Sequence, residues 1–431
     1  MKQPQPVIFY ARITPFGVAL IGESMPMPAP NPPPSSIGAD RSPRPSAETH
    51  NPEVSVVLPC LNEAETLAAC IAQIQQTFAE HSLNGEIIVA DNGSTDSSAS
   101  IARAAGARVV EVPRKGYGSA LMGGIDAARG EFIVMGDSDC SYDFRDIPKF
   151  VAGLRAGSDL VMGNRFRGGI QRGAMPPLHR YLGNPVLTRL GRLFFRSACG
   201  DFHCGLRAFR KCAYQQMNLR TTGMEFASEM VVKATLFGMR VAEVPTTLSP
   251  DGRSRPPHLR SWRDGWRHLR FLLMYSPRWL FLYPGILLML LGAAVTFYLL
   301  PGPRRIGGVE LDIHTLLYSV LAVLVGFQSV LFAMFTKVFA ITEGLLPEDP
   351  RLTRIFKVFT LEVGLALGLL LQIAGVACAV YSVVLWNGHG FGPMNPTSLM
   401  RVVACAIGLI LLGVQVTLSS FFFSILGLAR K

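Results

Sequence analysis

The chain changes its hydrophobic pattern at about residue 280. Before that point, short apolar runs alternate with segments of helical periodicity. After it, apolar residues fill long stretches that contain no Asp, Glu, Lys or Arg. A helix needs about 20 such residues to cross a bilayer. We therefore predict four membrane-spanning helices, at Trp279 to Pro303, Ile313 to Thr336, Val363 to about Trp386 and Val402 to about Leu428.

The short apolar runs of the first part predict the strands of one sheet. They are separated by stretches of helical spacing, and strands that alternate with helices build a mostly parallel sheet covered on both faces. The expected fold class is therefore α/β, followed by a four-helix membrane domain. The predicted strands are residues 54–58, 86–90, 107–112, 131–135, 159–162 and 240–244, and the predicted helices are residues 63–78, residues 94–105 and a helix that ends at residue 128.

The composition of successive segments predicts four regions. Residues 1–52 are rich in Pro, Ser and Ala, which cannot build a packed core, and we expect them to be disordered. Residues 53–250 form the α/β domain, residues 251–280 a basic amphipathic juxtamembrane segment, and residues 281–431 the membrane domain.

Basic charge is concentrated beside the first predicted span. The chain has a net charge of +11, and seven arginines lie between Asp251 and Phe281. Trp262 and Trp266 follow helical spacing there, with Arg263 and Arg267 in a parallel stripe. Such a helix can lie in the headgroup layer of a membrane, the alternative being an ordinary packing helix. Because the charge crowds at this junction, we expect a lipid partner and no nucleic acid.

The loops between the predicted spans give an orientation. Arg351, Arg354 and Lys357 lie in the second loop and Arg430 near the C-terminus, whereas the third loop has no basic residue. Basic loops stay in the cytoplasm. Although Arg304 and Arg305 in the first loop oppose this orientation, the balance predicts a multi-pass protein of the cell (inner) membrane. Its N-terminal domain and both termini would be cytoplasmic.

The eight cysteines indicate a reducing compartment. No C-x-x-C pair occurs, and the cluster Cys199, His203 and Cys204 has no fourth residue at a spacing suited to zinc. We therefore interpret all eight as free thiols.

Two carboxylates, Asp137 and Asp139, directly follow the predicted strand at residues 131–135. Residues two apart in an extended segment point to the same side, and ligands bind at this edge of an open α/β sheet. Two oxygen ligands at one spot suit Mg²⁺ or Mn²⁺, which also takes substrate phosphates. A solvated turn is nevertheless the commoner explanation of a lone D-x-D.

Other strand ends supply further candidates. Asp91 ends the second strand on the same edge and can bind the base or ribose of a nucleotide, and Lys115 can reach a phosphate. Gly116 and Gly118 begin a dinucleotide fingerprint, but Leu121 stands where its third glycine should be. NAD binding is therefore excluded.

Five motifs in order resemble the family 2 glycosyltransferases. They are L-P-C-L-N-E, A-D-N-G-S-T-D, G-D-S-D-C-S-Y-D, G-N-R and D-F-H-C-G-L-R-A-F, and the resemblance covers about residues 54–280. Within that family the chain looks like the dolichol-phosphate and polyprenyl-phosphate glycosyltransferases, such as dolichol-phosphate mannose or glucose synthases. Asn92 replaces a second Asp that is common there, which leaves the base and sugar preference open.

The resemblance implies a GT-A domain and a set of site residues. Asp137 and Asp139 would be the D-x-D pair, with Asp139 on the metal that bridges the diphosphate. Arg165 and Arg207 would contact donor or acceptor phosphates. Pro59, Asn62, Glu63, Asp91 and Asp137 would bind the nucleotide. Beside what the resemblance implies, the position of Lys115 adds it to the nucleotide site, and the basic juxtamembrane stripe adds Arg263 and Arg267 to the lipid-phosphate site.

The expected reaction transfers one sugar, with inversion, from a donor such as UDP-glucose or GDP-mannose to a polyprenyl or dolichyl phosphate. A lipid phosphate is largely ionised at neutral pH, since the second pKa of such a group is about 6. It therefore needs little help from a base, for which Asp143 is the weak candidate. The alternatives are a processive polysaccharide synthase, whose Gln-x-x-Arg-Trp element lacks its Gln here, and a non-catalytic scaffold or flippase. Whether the chain forms a homo-oligomer stays open.

Overall fold

The computed structural model describes residues 13–14, 17–18, 51–254, 261–393 and 396–428. In the N-terminal unit, Met1–His50, the described residues form one antiparallel pair, β1 (Ile13–Thr14) with β2 (Gly17–Val18). The other residues before Asn51 lie outside the described residues, so the predicted disorder of residues 1–52 stays a prediction.

A seven-stranded sheet forms the centre of the domain that follows. Its strand order is β5-β4-β3-β6-β8-β7-β9, and every neighbouring pair is parallel except the two pairs that involve β8. The mostly parallel sheet is confirmed, whereas β8 has no counterpart among the predicted strands. The strands are β3 (Val54–Cys60), β4 (Gly85–Asp91), β5 (Arg108–Glu111), β6 (Phe132–Met135), β7 (Leu160–Asn164), β8 (Arg207–Arg210) and β9 (Val241–Pro245).

Helices cover both faces of this sheet. Side chains alternate along a strand, so Val56 of β3 packs into a core on one face and Val57 into a core on the other. Both cores are buried, as expected for a sheet between two helical layers. The helices are α1 (Leu67–Glu80), α2 (Ser98–Ala104), α3 (Tyr117–Ala127), α4 (Ile147–Arg155), α5 (Arg165–Gly168), α6 (Asn184–Phe195), α7 (Lys211–Met217) and α8 (Phe226–Leu236).

Helix α9 (Ser261–Met274) joins the sheet domain to the membrane helices. Phe271 and Leu272 of α9 are buried in the same core as α3 and α8. The indole rings of Trp262 and Trp266 are exposed instead, with relative exposures of 82% and 59%. The helix therefore packs on the domain through one side and leaves two aromatic rings free, which is compatible with a position in a lipid headgroup layer.

Four helices of the described residues are long and apolar enough to cross a membrane, which confirms the predicted number. These candidate spans are Arg278–Leu299, Ile313–Thr342, Leu361–Asn387 and Thr397–Leu426. The elements of this part are α10 (Tyr283–Leu299), β10 (Arg304–Ile306), β11 (Val309–Leu311), α11 (Ile313–Thr342), α12 (Pro350–Val358), α13 (Leu361–Asn387) and α14 (Pro396–Leu428).

One buried arginine connects three of these helices. Arg401 of α14 donates to the carboxylate of Asp312, which precedes α11, and to the carbonyl oxygen of Leu299, which ends α10. Leu299, Leu316 and Ala404 pack beside it. Since a charge in an apolar setting needs a partner, this ion pair fixes α14 against the α10–α11 pair.

Candidate active site

A cavity of about 370 Å³ lies at the carboxyl ends of β3, β4 and β6. Its volume is within the range of pockets that hold small ligands. Pro59 and Glu63 line it from the end of β3, Lys115 from the loop before α3, and Asp137 and Asp139 from the loop after β6. Five of the residues that the sequence singled out therefore share one cavity, at the sheet edge where ligands of open α/β folds bind.

The D-x-D carboxylates lie together in this cavity and each has a neutral donor. The Tyr117 hydroxyl donates to Asp137 Oδ1 at 2.9 Å, and the backbone N–H of Ser141 donates to Asp139 Oδ1 at 3.0 Å. Burial and the negative charge of Asp139 raise the pKa of Asp137 to about 6. Two buried carboxylates that repel each other favour a cation between them.

The donor set fits a divalent ion that is shared with a substrate. Within the described part of the chain, no group of three or more His, Cys, Asp or Glu residues is arranged to hold a metal by itself. Mg²⁺ is usually held by one or two carboxylates, with phosphates and water completing its octahedron. Asp137 and Asp139 would supply the two carboxylates of such a site, and a diphosphate in the cavity would supply the phosphate oxygens.

Arg253 lines this cavity, although the sequence analysis did not single it out. Its guanidinium donates to Glu63 Oε1 at 2.9 Å and forms an ion pair with Asp139. Burial alone would lower the pKa of Arg253, but Asp139 and Glu63 raise it above its ordinary value. It follows β9 by eight residues, in the basic segment that was interpreted only as lipid-facing. Here it neutralises the acids of the cavity.

Glycine is required where the D-F-H-C-G-L-R segment passes beneath the D-x-D loop. A Cβ atom at Gly205 would lie 2.5 Å from Asp137 Oδ2 and 3.1 Å from the Tyr142 hydroxyl oxygen. Any side chain there would displace the carboxylate. The close approach explains how a motif more than 60 residues away shapes the acidic site.

Asp91 and Asn62 hold the strand-end loops together. Asp91 Oδ1 accepts from the Ser94 backbone N–H at 3.1 Å and from its hydroxyl at 2.5 Å. Asn62 Oδ1 accepts from the Thr95 N–H at 2.7 Å. Neither side chain is among those that line the cavity. Their predicted contacts with the nucleotide stay predictions, and in this structure both support the loops that carry Pro59 and Glu63.

Arg165 and Arg207 are placed differently from what the family resemblance implied. Arg165 is buried, and its guanidinium donates to Asp201 Oδ2 at 2.7 Å and to Oδ1 at 2.8 Å. Arg207 is fully buried and donates to the carbonyl oxygens of Cys204 and Ala227. Neither lines the cavity. Neither guanidinium is therefore available to a phosphate in this structure; both hold the segment of residues 201–207 against the sheet.

Helix α9 also lines the cavity, in addition to the loops at the sheet edge. Arg263 and Arg267 both line it, as does Asp264 between them. Asp264 Oδ1 is 3.7 Å from the nearest guanidinium nitrogen of each arginine. The two cations predicted for the lipid phosphate therefore share a cavity with the D-x-D pair, while Trp262 and Trp266 of the same helix are exposed.

Comparison with known proteins connects this site to a family. Residues 55–217 match glycosyl transferase family 2, and residues 334–427 match the glycosyltransferase family 2 C-terminal transmembrane region. The low-salt glycan biosynthesis hexosyltransferase Agl6 of Haloferax volcanii is 37% identical over 378 residues, which cover 87% of this chain and 89% of Agl6. The chain belongs to glycosyltransferase family 2.

Two further similarities cover the catalytic part of this glycosyltransferase. A dolichyl-phosphate hexose transferase of Haloferax volcanii is 30% identical over 194 residues, which cover 45% of this chain and 81% of the relative. A glucosyl-3-phosphoglycerate synthase from Mycobacterium tuberculosis, whose structure was solved with Mn²⁺ and UDP, is 25% identical in sequence. The structural match covers 52% of this chain and 78% of the synthase chain, with a TM-score of 0.40. The family matches and the observed sheet confirm a GT-A type domain followed by a membrane region.

A buried ionic cluster holds the part of the glycosyltransferase cavity that Gly223 and Met224 line, in the loop before α8. Glu229 of α8 accepts from the N–H groups of Arg220 and Thr221 and forms a salt bridge of 2.9 Å with Lys233. The Tyr275 hydroxyl, just after α9, donates to the same carboxylate at 3.3 Å. Glu229 is therefore part of a buried salt bridge that supports the fold. The cluster fixes the loop before α8, which reaches the cavity, relative to the segment that enters the membrane.

A buried histidine of α9, His268, predicts a pH effect on stability. The Ser228 hydroxyl lies 2.9 Å from His268 Nδ1, and burial lowers the pKa of His268 to about 4. In the unfolded chain it titrates near 6.5, so the unfolded state binds more protons between these values. The contribution of His268 to stability is therefore full above pH 6.5 and is lost as the pH drops towards 4, by at most about 3 kcal/mol. The thermal midpoint of His268→Asn should fall less steeply over this range than that of wild type, and the exposed control His81→Asn should follow wild type.

Proposed function

We propose that this glycosyltransferase moves one hexose from a nucleotide-diphosphate sugar to a polyprenyl or dolichyl phosphate at the cytoplasmic face of the inner membrane. Mg²⁺ or Mn²⁺ is required and the anomeric configuration is inverted. One observation carries the proposal: the D-x-D carboxylates and two arginines of the helix that leads into the membrane line the same cavity. Donor and lipid acceptor therefore meet between the sheet edge and α9.

The donor half of the site is the sheet edge. Pro59 and Glu63 border the space for the base and ribose, with Asp91 and Asn62 behind them. Lys115 lines the cavity, and its ammonium donates to the Asn92 carbonyl oxygen at 2.7 Å. The diphosphate lies beside Asp137 and Asp139, where a bound divalent ion would supply Lewis-acid stabilisation of the departing nucleoside diphosphate. UDP-glucose and GDP-mannose are the donor types to compare.

The acceptor half is the cationic side of α9. The lipid phosphate is already ionised, so the chain has to orient it and does not have to remove a proton. Arg263 and Arg267 supply planar guanidinium groups, which bind phosphates through paired hydrogen bonds. Arg253 pairs with Glu63 and Asp139 and lines the same cavity as the two α9 arginines, so its charge reduces the repulsion between the two anionic substrates. Asp143 forms an ion pair with Arg145 outside the cavity, so no base is assigned.

The domain organisation in this proposal follows the predicted regions. Residues 53–250 bind the donor, residues 251–280 bind the acceptor head at the headgroup layer, and residues 281–431 anchor the chain. The basic loops support the cytoplasmic side. The exposed indoles of Trp262 and Trp266 would enter the lipid interface.

A transfer assay tests this function. The purified full chain is incubated with polyprenyl phosphate, Mg²⁺ or Mn²⁺, and radiolabelled UDP-glucose or GDP-mannose in turn. We expect a single lipid-linked sugar with one donor and none after chelation. A polymeric product would favour a processive synthase. Binding of a nucleoside diphosphate without transfer from any donor would favour a scaffold.

Neutralising the α9 arginines should weaken acceptor use. In the double variant Arg263→Gln/Arg267→Gln, we expect KM for polyprenyl phosphate to rise by about ten- to a hundredfold, because both arginines are half-exposed and their charge-assisted contacts together contribute about 1.5–3 kcal/mol. KM for the donor should change little. Arg270→Gln is the matched control, because Arg270 is exposed on the same helix and does not line the cavity. An equal effect in the control would mean that only the net basic charge matters.

A further inference from the structure

Two cysteine sulfurs lie in contact beside the D-x-D loop. Cys140 directly follows Asp139, and Cys70 lies in α1, yet their Sγ atoms are 3.4 Å apart. Both are free thiols, Cys70 being buried and Cys140 partly exposed. The proposed transfer reaction uses neither of them. Cys140 is joined by one peptide bond to Asp139, a proposed metal ligand. Chemical modification of this thiol pair would therefore change the geometry of the donor site.

The backbone on both sides of the pair is firmly held. The Thr66 hydroxyl donates to the Ser138 carbonyl oxygen at 2.7 Å, and the Cys140 thiol donates to the Thr66 carbonyl oxygen at 3.5 Å. The Cys70 N–H also donates to the Thr66 carbonyl oxygen, at 3.1 Å. Cys140 has a φ of +62°, the left-handed turn that directs its side chain towards α1. The fold therefore keeps the two sulfurs side by side.

Joining these sulfurs would move the metal-binding loop. A disulfide bond is about 2.05 Å long, so the sulfurs have to approach by about 1.4 Å. The carboxylate of Asp139 is fixed by the Ser141 N–H, and its carbonyl oxygen accepts from the Gly252 N–H at 2.9 Å. Pulling Cys140 towards α1 strains these contacts. A misplacement of about 1 Å at a catalytic group can cost on the order of a hundredfold in rate.

We propose that Cys70 and Cys140 form a peroxide-sensitive modification site whose disulfide reversibly lowers the activity of the D-x-D site. The Cys140 sulfur attacks one peroxide oxygen and the O–O bond breaks. Cys140 becomes a sulfenic acid, and the thiol proton leaves on the other oxygen as water or an alcohol. The Cys70 sulfur then attacks the sulfenic sulfur, and its proton leaves with the hydroxyl group as water. The two electrons that the thiols lose reduce the peroxide.

The reverse step needs a thiol reductant. A dithiol attacks the disulfide through a mixed disulfide and restores both cysteines. In a reducing compartment the pair is therefore open at rest, and a protein disulfide there is transient. The activity of this enzyme would then respond to peroxide without a separate sensor domain.

Peptide mapping of the full chain tests the pairing. The detergent-solubilised protein is treated with hydrogen peroxide, digested without reductant and analysed by mass spectrometry. We expect a linked peptide pair that contains Cys70 and Cys140 and has lost two hydrogen atoms. Absence of that pair, or preferential oxidation of Cys60 in the cavity wall, would overturn the proposal. The Cys70→Ser variant should give no linked pair.

Transfer rates test the functional consequence, which rests on the proposed function. After peroxide, wild type should lose about ten- to a hundredfold in rate and recover with dithiothreitol. Cys212→Ser, which removes an exposed thiol in α7, should behave like wild type. Cys70→Ser should show a much smaller reversible loss, because its Cys140 stops at the sulfenic acid, which dithiothreitol also reduces and which does not pull the loop towards α1. A reversible loss of equal size in Cys70→Ser would contradict the switch. If the reduced chain transfers no sugar at all, the proposed function fails, whereas the mapping still decides the pairing.

Discussion

Replacing Asp139 with Asn should lower the rate of sugar transfer by on the order of a thousandfold. The amide keeps the size of the carboxylate and can still accept from the Ser141 N–H. It loses the negative charge that balances Arg253 and would bind a divalent ion. The loss should appear in kcat, because the charge on the departing nucleoside diphosphate develops in the transition state. Rates are measured with polyprenyl phosphate and the donor that supports transfer by wild type.

Asp143→Asn is the matched control for this experiment. Asp143 lies four residues further along and forms an ion pair with Arg145 outside the cavity. Its variant should transfer sugar at close to the wild-type rate, and a large loss would restore it as a candidate base. The thermal midpoint of each variant separates loss of function from unfolding. If Asp139→Asn keeps the wild-type rate and the same Mn²⁺ dependence, the assignment of Asp139 to the metal is wrong.

Local patterns were sufficient to predict six of the seven strands of the sheet and the acidic loop. Successive side chains of β3 point into two different buried cores, so Val56 and Val57 are both buried. Such a strand appears in the sequence as a continuous apolar run. A strand end followed by D-x-D needs no long-range information, because parallel strands bring their carboxyl ends to one edge. The four long helices were predicted for a similar reason, since each has to be apolar along its own length.

Strand β8 was missed because its sequence does not show its burial. Its four residues, Arg207–Arg210, begin and end with arginine, and the first of these is fully buried. The strand lies between β6 and β7 and is antiparallel to both. Nothing in the sequence around β6 or β7 indicates that another strand pairs between them. Only the tertiary arrangement supplies the backbone carbonyls of Cys204 and Ala227 that satisfy the Arg207 guanidinium.

The roles of the arginines were the least predictable part of the site. A motif identifies an arginine but does not distinguish one that meets a phosphate from one that is paired inside the fold. Arg253 finds Glu63 across 190 positions of the sequence, and Arg165 finds Asp201 across 36. Such pairings depend on how distant loops are brought together. As a result, Arg253, for which the sequence predicted no role in the site, lines the cavity, whereas Arg165, which was predicted to contact a phosphate, does not.

The second large effect concerns the buried pair of Arg165 and Asp201. The Asp201 side chain is fully buried and accepts both guanidinium hydrogen bonds as well as the Arg165 N–H at 3.2 Å. Asp201→Asn leaves a buried cation without its counter-charge, so the free energy of unfolding should fall by about 3–5 kcal/mol. Denaturant or thermal unfolding of the detergent-solubilised chain measures it. Disrupting the exposed pair with Arg145→Gln should cost no more than about 1 kcal/mol.

A double variant separates packing from phosphate binding. Arg165→Met/Asp201→Leu removes both charges and keeps apolar volume, so it should recover much of the stability that Asp201→Asn loses. If Arg165 only supports the fold, this variant also recovers sugar transfer with an unchanged KM for donor and acceptor. If it is stable but has lost transfer by a hundredfold or more, as expected for a missing charge-assisted contact in the transition state, Arg165 leaves Asp201 during the reaction and binds a phosphate. Because the two roles predict the same stability but different rates, the pair of measurements decides which role this buried arginine has.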